Sequence, residues 1–186
     1  WFEKSAELGF APAQYRIGNL YEKGIGVARD LVKARYWYQL AANQGNANAM
    51  HNLAVLYATG ADIAPDNEAA VRWFTKAASL GVVDSQYNLG ILTAKGAGTP
   101  LDLEQAYKWF ALVANTGDKD AAAKRDEVAR GMSPDQIARA KAGIASWTAE
   151  TQDAAANEVT VPDDWQQPAA TTTAQVDMDK AIRNVQ

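Results

Sequence analysis

The sequence contains no cysteine and a single histidine, His51, among its 186 residues. The lack of cysteine excludes disulfides, thiolate metal sites and a cysteine nucleophile, and it suits either the cytoplasm or a bacterial periplasm. A lone histidine has no second histidine with which to share a metal ion and no serine and acid at a recognisable spacing. The sequence therefore predicts no catalytic centre, no metal site and no cofactor.

Long apolar runs and an excess of positive charge are also missing. No stretch approaches the roughly 18–20 apolar residues that span a bilayer, so we expect a soluble chain. The net charge is −4, with 16 Lys+Arg against 15 Asp+Glu in residues 1–149 and two against seven in residues 150–186. A nearly neutral body with an acidic tail does not resemble a nucleic-acid-binding surface.

The main feature of the sequence is a motif that recurs every 36 residues. It reads Asp, three residues, Ala, two residues, Trp, an aromatic residue, and then an Ala-rich helical turn that ends at Gly. Full copies occupy residues 30–45, 66–81 and 102–117, and the chain opens near the end of an earlier copy, at Trp1-Phe2. A fixed period of this length indicates a solenoid. Because the chain begins inside a repeat, we expect it to be an excerpt of a longer protein.

Each repeat predicts two helices joined by a loop. The first helix has an apolar face with a small residue at its centre, such as Gly18 beside Ile17, which lets the neighbouring helix approach closely. The tryptophans of the motif are expected to pack between helices rather than to bind sugars. Glycines are predicted to end the first helices, and aspartates to begin the second ones, either as N-caps or as first-turn residues. These residues are Gly24, Gly60 and Gly96, and Asp30, Asp66 and Asp102.

Four segments are predicted along the chain. Residues 1–132 form the solenoid, 133–149 a capping helix, 150–176 an acidic Thr/Pro-rich linker or docked tail, and 177–186 the start of a truncated helical domain. The capping helix begins with Ser133 as N-cap, Pro134 at its first position and Gln136 at its third. The tail contains one apolar stretch, 159–165, for which we favour docking on this solenoid or on that of a neighbouring molecule.

The combined motif resembles the Sel1-like repeat, a relative of the tetratricopeptide repeat, over residues 1–117. It comprises Leu-Gly-x-x-Tyr, Gly-x-Gly, the Asp-to-Trp-aromatic run and Ala-Ala-x-x-Gly. The resemblance implies an all-α, right-handed solenoid of antiparallel helix pairs with about four repeats. It also implies an adaptor or scaffold and not an enzyme. Asp62 and Thr93 depart from the pattern, which has Gly and Tyr at these positions.

The order of the segments resembles the periplasmic C-terminal region of PodJ-type polarity factors of alphaproteobacteria. The parts that match are the repeat array, the Met132–Gln136 start of the capping helix, the acidic linker and the opening of a further helix at Met178. This resemblance implies a periplasmic adaptor segment of a polar-localisation factor, with the cytoplasm as the alternative location. It also implies a parent protein anchored in a membrane outside this chain.

In the related tetratricopeptide fold, the first helix of each pair lines a concave groove. By this analogy, the partner-binding residues are those of the first helices that stacking does not use. Their amides could bond the backbone of an extended peptide, and their cations suit an acidic chain or a carboxylate. The candidates are Tyr15, Arg16, Asn19, Lys23, His51, Asn52, Val55, Thr59, Tyr87, Asn88, Ile91 and Lys95.

Three classes of function are compatible with this groove. The first is a scaffold that binds a protein or peptide partner. The second is a module that binds peptidoglycan or another glycan, with Tyr15, His51 and Tyr87 stacking on sugar rings. The third, an enzyme or a regulator of hydrolases, is disfavoured because the sequence contains no catalytic constellation.

Overall fold

The computed structural model describes residues 2–60 and 64–159, which form ten helices and no strand. Asp62, residues 160–176 of the predicted tail and the predicted helix at 177–186 lie outside the described residues. The helices are α1 (Phe2–Glu7), α2 (Ala11–Lys23), α3 (Leu31–Asn43), α4 (Ala47–Thr59), α5 (Asn67–Ser79), α6 (Val83–Lys95), α7 (Leu103–Ala114), α8 (Lys119–Ala129), α9 (Pro134–Ala145) and α10 (Ala154–Asn157).

The helices pack as successive pairs. Helix α2 packs on α3, α4 on α5 and α6 on α7, and each pair contacts the next through α3 with α4 and α5 with α6. Helix α1 packs on α2 as the last helix of an earlier repeat. The architecture is therefore the predicted all-α solenoid of helix pairs.

The predicted helix ends are confirmed. Asp30, Asp66 and Asp102 are N-caps, and each carboxylate accepts the backbone N–H three residues later, at 2.8–3.0 Å. The first helices end at glycines in the left-handed region, with φ of 63–68° at residues 24, 60 and 96. Such a backbone favours glycine because a Cβ would crowd the following carbonyl. These caps fix the length of each repeat.

The largest fully buried side chain of each described motif is the aromatic residue that follows the tryptophan. Tyr38 is 0% exposed, Phe74 2% and Phe110 1%. Trp109 is also buried, whereas Trp37 and Trp73 are half-buried at the edges of neighbouring clusters. The three described pairs pack between helices as expected, and Tyr38, Phe74 and Phe110 form the centre of the core.

Helices α8 and α9 follow the third pair. Helix α9 begins with the predicted capping box, in which Ser133 Oγ accepts the Gln136 N–H and Gln136 Oε1 accepts the Ser133 N–H. Its Ile137, Ala140 and Ile144 pack with Tyr107 and Ala111 of α7. This packing covers the outer face of the third pair.

Residues 147–159, here called the strap, run back along the turns between the repeats. The Trp147 ring contacts the Trp109 ring, with centroids 6.3 Å apart. Further along, the Glu150 N–H donates to the Ser79 carbonyl at 2.8 Å, and Gln152 Nε2 donates to the Leu80 carbonyl at 2.9 Å. The strap thus reaches the turn that joins the second and third pairs.

The strap then reaches the turn between the first and second pairs. Asn46 Nδ2 donates to the Ala156 carbonyl at 2.6 Å, and Asn157 Oδ1 accepts the Ala47 N–H at 2.8 Å. Asn157 Nδ2 donates to the Gly45 carbonyl at 3.1 Å. Ala156 is the one strap residue that is fully buried, at 4% exposed. The strap is therefore held both by hydrogen bonds at the turns and by the packing of Trp147 and Ala156 on the solenoid.

Candidate functional site

The predicted partner-binding residues lie on α2, α4 and α6, and none of them is buried. Equivalent positions are 36 residues apart, so Tyr15, His51 and Tyr87 form one row across the three helices. We call this surface the groove face. Three cavities open between its helices, and their lining residues define the candidate site.

The first cavity, of about 430 Å³, lies between α2 and α4. Four predicted residues line it: Tyr15, Arg16, Asn19 and Lys23. The rest of its lining consists of Pro12, Leu20, Asn46 and Asn48 and the strap residues Asn157 and Val159. Amide, phenol and cationic groups therefore surround an open space that contains no carboxylate in its lining.

The second cavity, of about 390 Å³, lies between α4, α6 and the start of α8. The predicted residues His51, Tyr87 and Asn88 line it together with Val83 and Val113. Three carboxylates complete the lining: Asp84, Asp118 and Asp120. One oxygen of Asp118 accepts the Ala121 N–H at 2.8 Å, since Asp118 is the N-cap of α8.

The third cavity, of about 250 Å³, lies between α6 and α8 and contains the predicted Ile91 and Lys95. Its other charged residues are Lys124 and Glu127, which form an ion pair at 2.8 Å. Val55 and Thr59 belong to the same face of α4 but line none of these three cavities. Val55 packs against the core cluster around Phe74.

Two of the predicted asparagines already have intramolecular partners. Asn19 Nδ2 donates to the Tyr15 carbonyl at 3.0 Å, and Asn19 Oδ1 lies 3.1 Å from the Tyr38 hydroxyl. Asn52 Nδ2 lies 3.5 Å from the same Asn19 oxygen. Burial and the neighbouring Glu22 carboxylate raise the pKa of Tyr38, so the phenol keeps its proton. Asn19 therefore bonds a core residue of the first pair and also lines the first cavity.

His51 and Ser85 form a hydrogen-bonded pair between α4 and α6, with 2.8 Å between Nδ1 and Oγ. The hydroxyl is not positioned as a nucleophile because Ser85 is 0% exposed. Burial lowers the pKa of His51, although Asp84 and Glu22 act in the opposite direction. The imidazole is therefore neutral at pH 7, and the pair is a contact between neighbouring repeats.

The described residues offer no alternative centre for metal or membrane chemistry. Residues 2–60 and 64–159 contain no group of three His, Cys, Asp or Glu side chains placed to hold a metal ion. No helix within these ranges is both long enough and apolar enough to cross a membrane. The candidate site that contains the predicted residues is the set of open cavities on the groove face.

The sequence analysis missed one row of residues on the groove face. This row lies one helical turn before the predicted row at residues 16, 52 and 88. Its members are Pro12, Asn48, Asp84 and Asp120, all of which line the first two cavities. The 36-residue period could have shown this row, because a helical neighbour lies four residues away. Val159, the first residue of the apolar stretch predicted to dock, lines the first cavity. No local signal marks its neighbour Asn157, which bonds Gly45 and Ala47 from more than 100 residues away.

A family model described as the Sel1 repeat matches residues 1–10, 11–46, 47–82 and 83–118. The chain belongs to the Sel1 repeat family. The matched units coincide with the helix pairs, since each full unit begins with a first helix and ends at the following turn. Sel1 repeat proteins are in general non-enzymatic scaffolds that bind protein partners.

Solved structures of Sel1 repeat proteins resemble this chain. A Sel1 repeat protein from Oxalobacter formigenes is 36% identical, with a TM-score of 0.60 over 63% of this chain and 49% of that one. The Escherichia coli protective antigen c5321 is 30% identical, with a TM-score of 0.66 over 77% of this chain and 32% of that one. This Sel1 chain therefore spans half or less of the length of these two relatives.

A more distant structure shows the fold alone. The cysteine-rich protein B of Helicobacter pylori is 20% identical to this Sel1 chain, with a TM-score of 0.51 over 66% of this chain and 92% of that one. No curated protein sequence matches the chain. The family and the fold are thus shown, and the partner has to be inferred from the groove face.

Proposed function

We propose that this Sel1 chain is a scaffold that binds an extended peptide segment of a partner protein along its groove face. The observation that carries the proposal is the run of three open cavities across α2, α4, α6 and α8, lined by polar and aromatic side chains. A series of open cavities lined by polar and aromatic side chains suits an extended chain, whose backbone needs both donors and acceptors.

Asn88 is the residue best placed for backbone recognition. It lines the second cavity and is half-buried, and its amide makes no hydrogen bond within the described part of the chain. One primary amide can accept a peptide N–H and donate to a peptide carbonyl. Tyr87 stands beside it with its ring packed on Phe110, at 5.6 Å between centroids. The two residues thus combine an aromatic ring that Phe110 holds in place with an amide that can bond a peptide backbone.

We further propose that the parent protein is a bacterial polar-localisation factor and that this segment works in the periplasm, with the cytoplasm as the alternative. The support is the order of segments in the sequence and the absence of cysteine. A reporter enzyme that is active only in the periplasm, fused to the full-length protein, tests the location. Lack of reporter activity from a stable fusion would contradict it.

Selection from a displayed library of random 16-residue peptides tests the groove. The native chain should enrich a family of peptides, and Tyr87→Ala/Asn88→Ala should lose their binding without losing helicity. Asn43→Ala, an exposed asparagine at the end of α3, is the matched control and should keep it. Enriched peptides that bind the Tyr87→Ala/Asn88→Ala variant unchanged would remove the groove assignment.

Peptidoglycan or another glycan is the alternative ligand. In that case Tyr15, His51 and Tyr87, which are half-buried on the groove face, would stack on sugar rings. Sedimentation with insoluble peptidoglycan separates the two ideas. Suppose that the native chain cosediments with peptidoglycan while Tyr15→Ala/Tyr87→Ala does not, and that the library yields no enriched peptide. These two results together would replace the peptide-binding proposal with glycan binding.

A further inference from the structure

The strap ends at the first cavity of the groove face. Its residues Asn157 and Val159 line this cavity, and α10 packs on α2. Between them, Glu158 has an extended backbone, with φ of −111° and ψ of 145°. The Val159 side chain is 52% exposed, so the cavity is open where the described residues end.

The strap reaches the cavity at the end where the first helices begin. Asn157 bonds the Ala47 N–H at the start of α4. The lining on α2 runs from Pro12 in its first turn to Lys23 at its last residue. At about 1.5 Å per residue, this part of α2 is about 17 Å long. An extended chain rises about 3.3 Å per residue, so about five residues beyond Val159 cover that length.

The next residues in the sequence suit an extended chain. Residues 159–165 read Val-Thr-Val-Pro-Asp-Asp-Trp. β-Branched residues favour extended backbone, and a residue before proline is biased away from the helical region. The segment that follows the strap is therefore of the type that the groove face is proposed to bind.

The cavity offers this segment polar and apolar partners. Asn48 is exposed in the lining, and its amide makes no hydrogen bond within the described part of the chain. Such an amide can accept a peptide N–H and donate to a peptide carbonyl. Lys23 is exposed at the far end, where the length of the segment brings Asp163 and Asp164. The half-buried ring of Tyr15 adds apolar surface.

We infer that residues 160–165 of this chain occupy the first cavity as a tethered ligand that competes with partner peptides. The segment continues the strap along α2 towards Lys23. Its effective concentration at the cavity is on the order of millimolar, because the strap holds its start in place. A partner has to displace it from the first cavity. This inference rests on the proposed peptide-binding function and adds regulation to it.

Paramagnetic relaxation tests the position of the segment in the full chain. Since the chain has no cysteine, Thr59→Cys provides a single site for a nitroxide at the exposed end of α4, on the groove face. The nitroxide should strongly broaden amide signals in residues 160–165. A nitroxide at Arg72→Cys, an exposed residue of α5 outside the groove face, is the matched control and should broaden them less.

Two results of this measurement would overturn the inference. Equal broadening from both positions would mean that the segment does not rest in the first cavity. Broadening that persists when the nitroxide and the isotope label are on different molecules would mean that the segment docks on a second copy of the chain. Helicity and melting temperature check that each labelled variant is folded.

Release of the segment tests the competition. The probe is a peptide selected from the 16-residue library whose binding Tyr15→Ala weakens. Val161→Ser/Trp165→Ser should bind it about tenfold more tightly than the native chain does, the ratio expected if the effective concentration of the segment is about ten times its intrinsic Kd. Thr171→Ser/Thr173→Ser, also in the tail, is the matched control and should bind as the native chain does.

The two experiments separate failure of the inference from failure of the proposed function. Unchanged affinity of Val161→Ser/Trp165→Ser for the probe would overturn the inference and leave peptide binding in place. If neither the native chain nor this variant enriches a peptide, the proposed function fails and the competition fails with it. The nitroxide measurement then still decides whether residues 160–165 occupy the first cavity.

Discussion

The hydroxyl of Tyr38 donates to Glu22 Oε2 at 2.5 Å, at the centre of the first helix pair. The equivalent aromatic residues, Phe74 and Phe110, lack this hydroxyl. The residues opposite change with them, since Asn19 and Glu22 become Val55 and Ala58 in the second pair and Ile91 and Ala94 in the third. One repeat therefore has a polar core contact where its neighbours have an apolar one.

This covariation predicts a rescue experiment. Tyr38→Phe should lower the free energy of unfolding by about 1–2 kcal/mol, because Glu22 and Asn19 lose a donor in a partly buried place. The triple variant Asn19→Val/Glu22→Ala/Tyr38→Phe, which copies the second pair, should recover most of that loss. Urea unfolding measures all the free energies. A triple variant less stable than Tyr38→Phe would show that the polar contact is not interchangeable.

Two glycines in equivalent positions should respond differently to alanine. A Cβ on Gly18 would lie 2.5 Å from the Tyr38 ring, which its hydroxyl holds in place, so we expect Gly18→Ala to cost about 1–3 kcal/mol. A Cβ on Gly90 would lie 2.9 Å from the end of the Phe110 ring. The second pair already has Ala54 beside Phe74, and alanine favours a helix by about 1 kcal/mol.

Thermal unfolding of the two glycine variants tests this difference. Gly90→Ala should change the melting temperature little or raise it, and Gly18→Ala should lower it. Equal losses for both variants would mean that the anchored phenol does not limit the approach of α2 to α3.

His51 should make the stability of the chain depend on pH. Burial lowers its pKa below 6.5 in the folded chain, while the carboxylates Asp84 and Glu22 oppose the shift. Folding thus favours the neutral ring, and its contribution is complete above pH 6.5 and is lost as the pH falls through the folded pKa. The slope from this one group cannot exceed about 1.4 kcal/mol per pH unit.

The matched variant for this pH dependence is His51→Tyr/Ser85→Ala. It reproduces the pairs Tyr15 with Ala49 and Tyr87 with Ala121, which the other repeats have at these positions. Unfolding free energies measured from pH 5 to pH 8 should diverge between native and variant chains below pH 6.5. Parallel curves would show that His51 titrates alike in the folded and unfolded chains.

Asn157 should hold the end of the strap. Its side chain bonds the Ala47 N–H and the Gly45 carbonyl, so Asn157→Ala should lower stability by about 1–2 kcal/mol. Amide exchange at Ala47 and Glu150 should become faster. Gln152→Ala removes one exposed hydrogen bond to Leu80 and should have a smaller effect. Similar effects from the two variants would mean that the strap is held elsewhere.

Local patterns predicted the repeat well because its determinants lie within 36 residues. The aspartate caps, the left-handed glycines and the capping box at Ser133 each depend on neighbours three or four residues away. The position of the strap depends on contacts about 110 residues apart, such as that of Asn46 with Ala156, which no periodicity encodes.

The groove face was predictable in outline but not in its details. The row containing Tyr15, His51 and Tyr87 follows from helical spacing. Asn19 forms a hydrogen bond with Tyr38, and His51 forms one with Ser85. These bonds depend on which residue packs opposite, and the sequence pattern does not specify that residue. The carboxylates Asp84 and Asp120 of the second cavity were missed because their row was not counted as part of the face.

A linear array in which each unit touches its neighbours alone can fray inward from either end, one unit at a time. The bonds from Asn157 to the turn at Gly45 close a loop of about 110 residues over two intervening turns. Fraying from the α9 end then has to break contacts at the far end as well. We therefore expect the three helix pairs to melt in a more concerted way, because the bonds of Asn46 and Asn157 have to be released together.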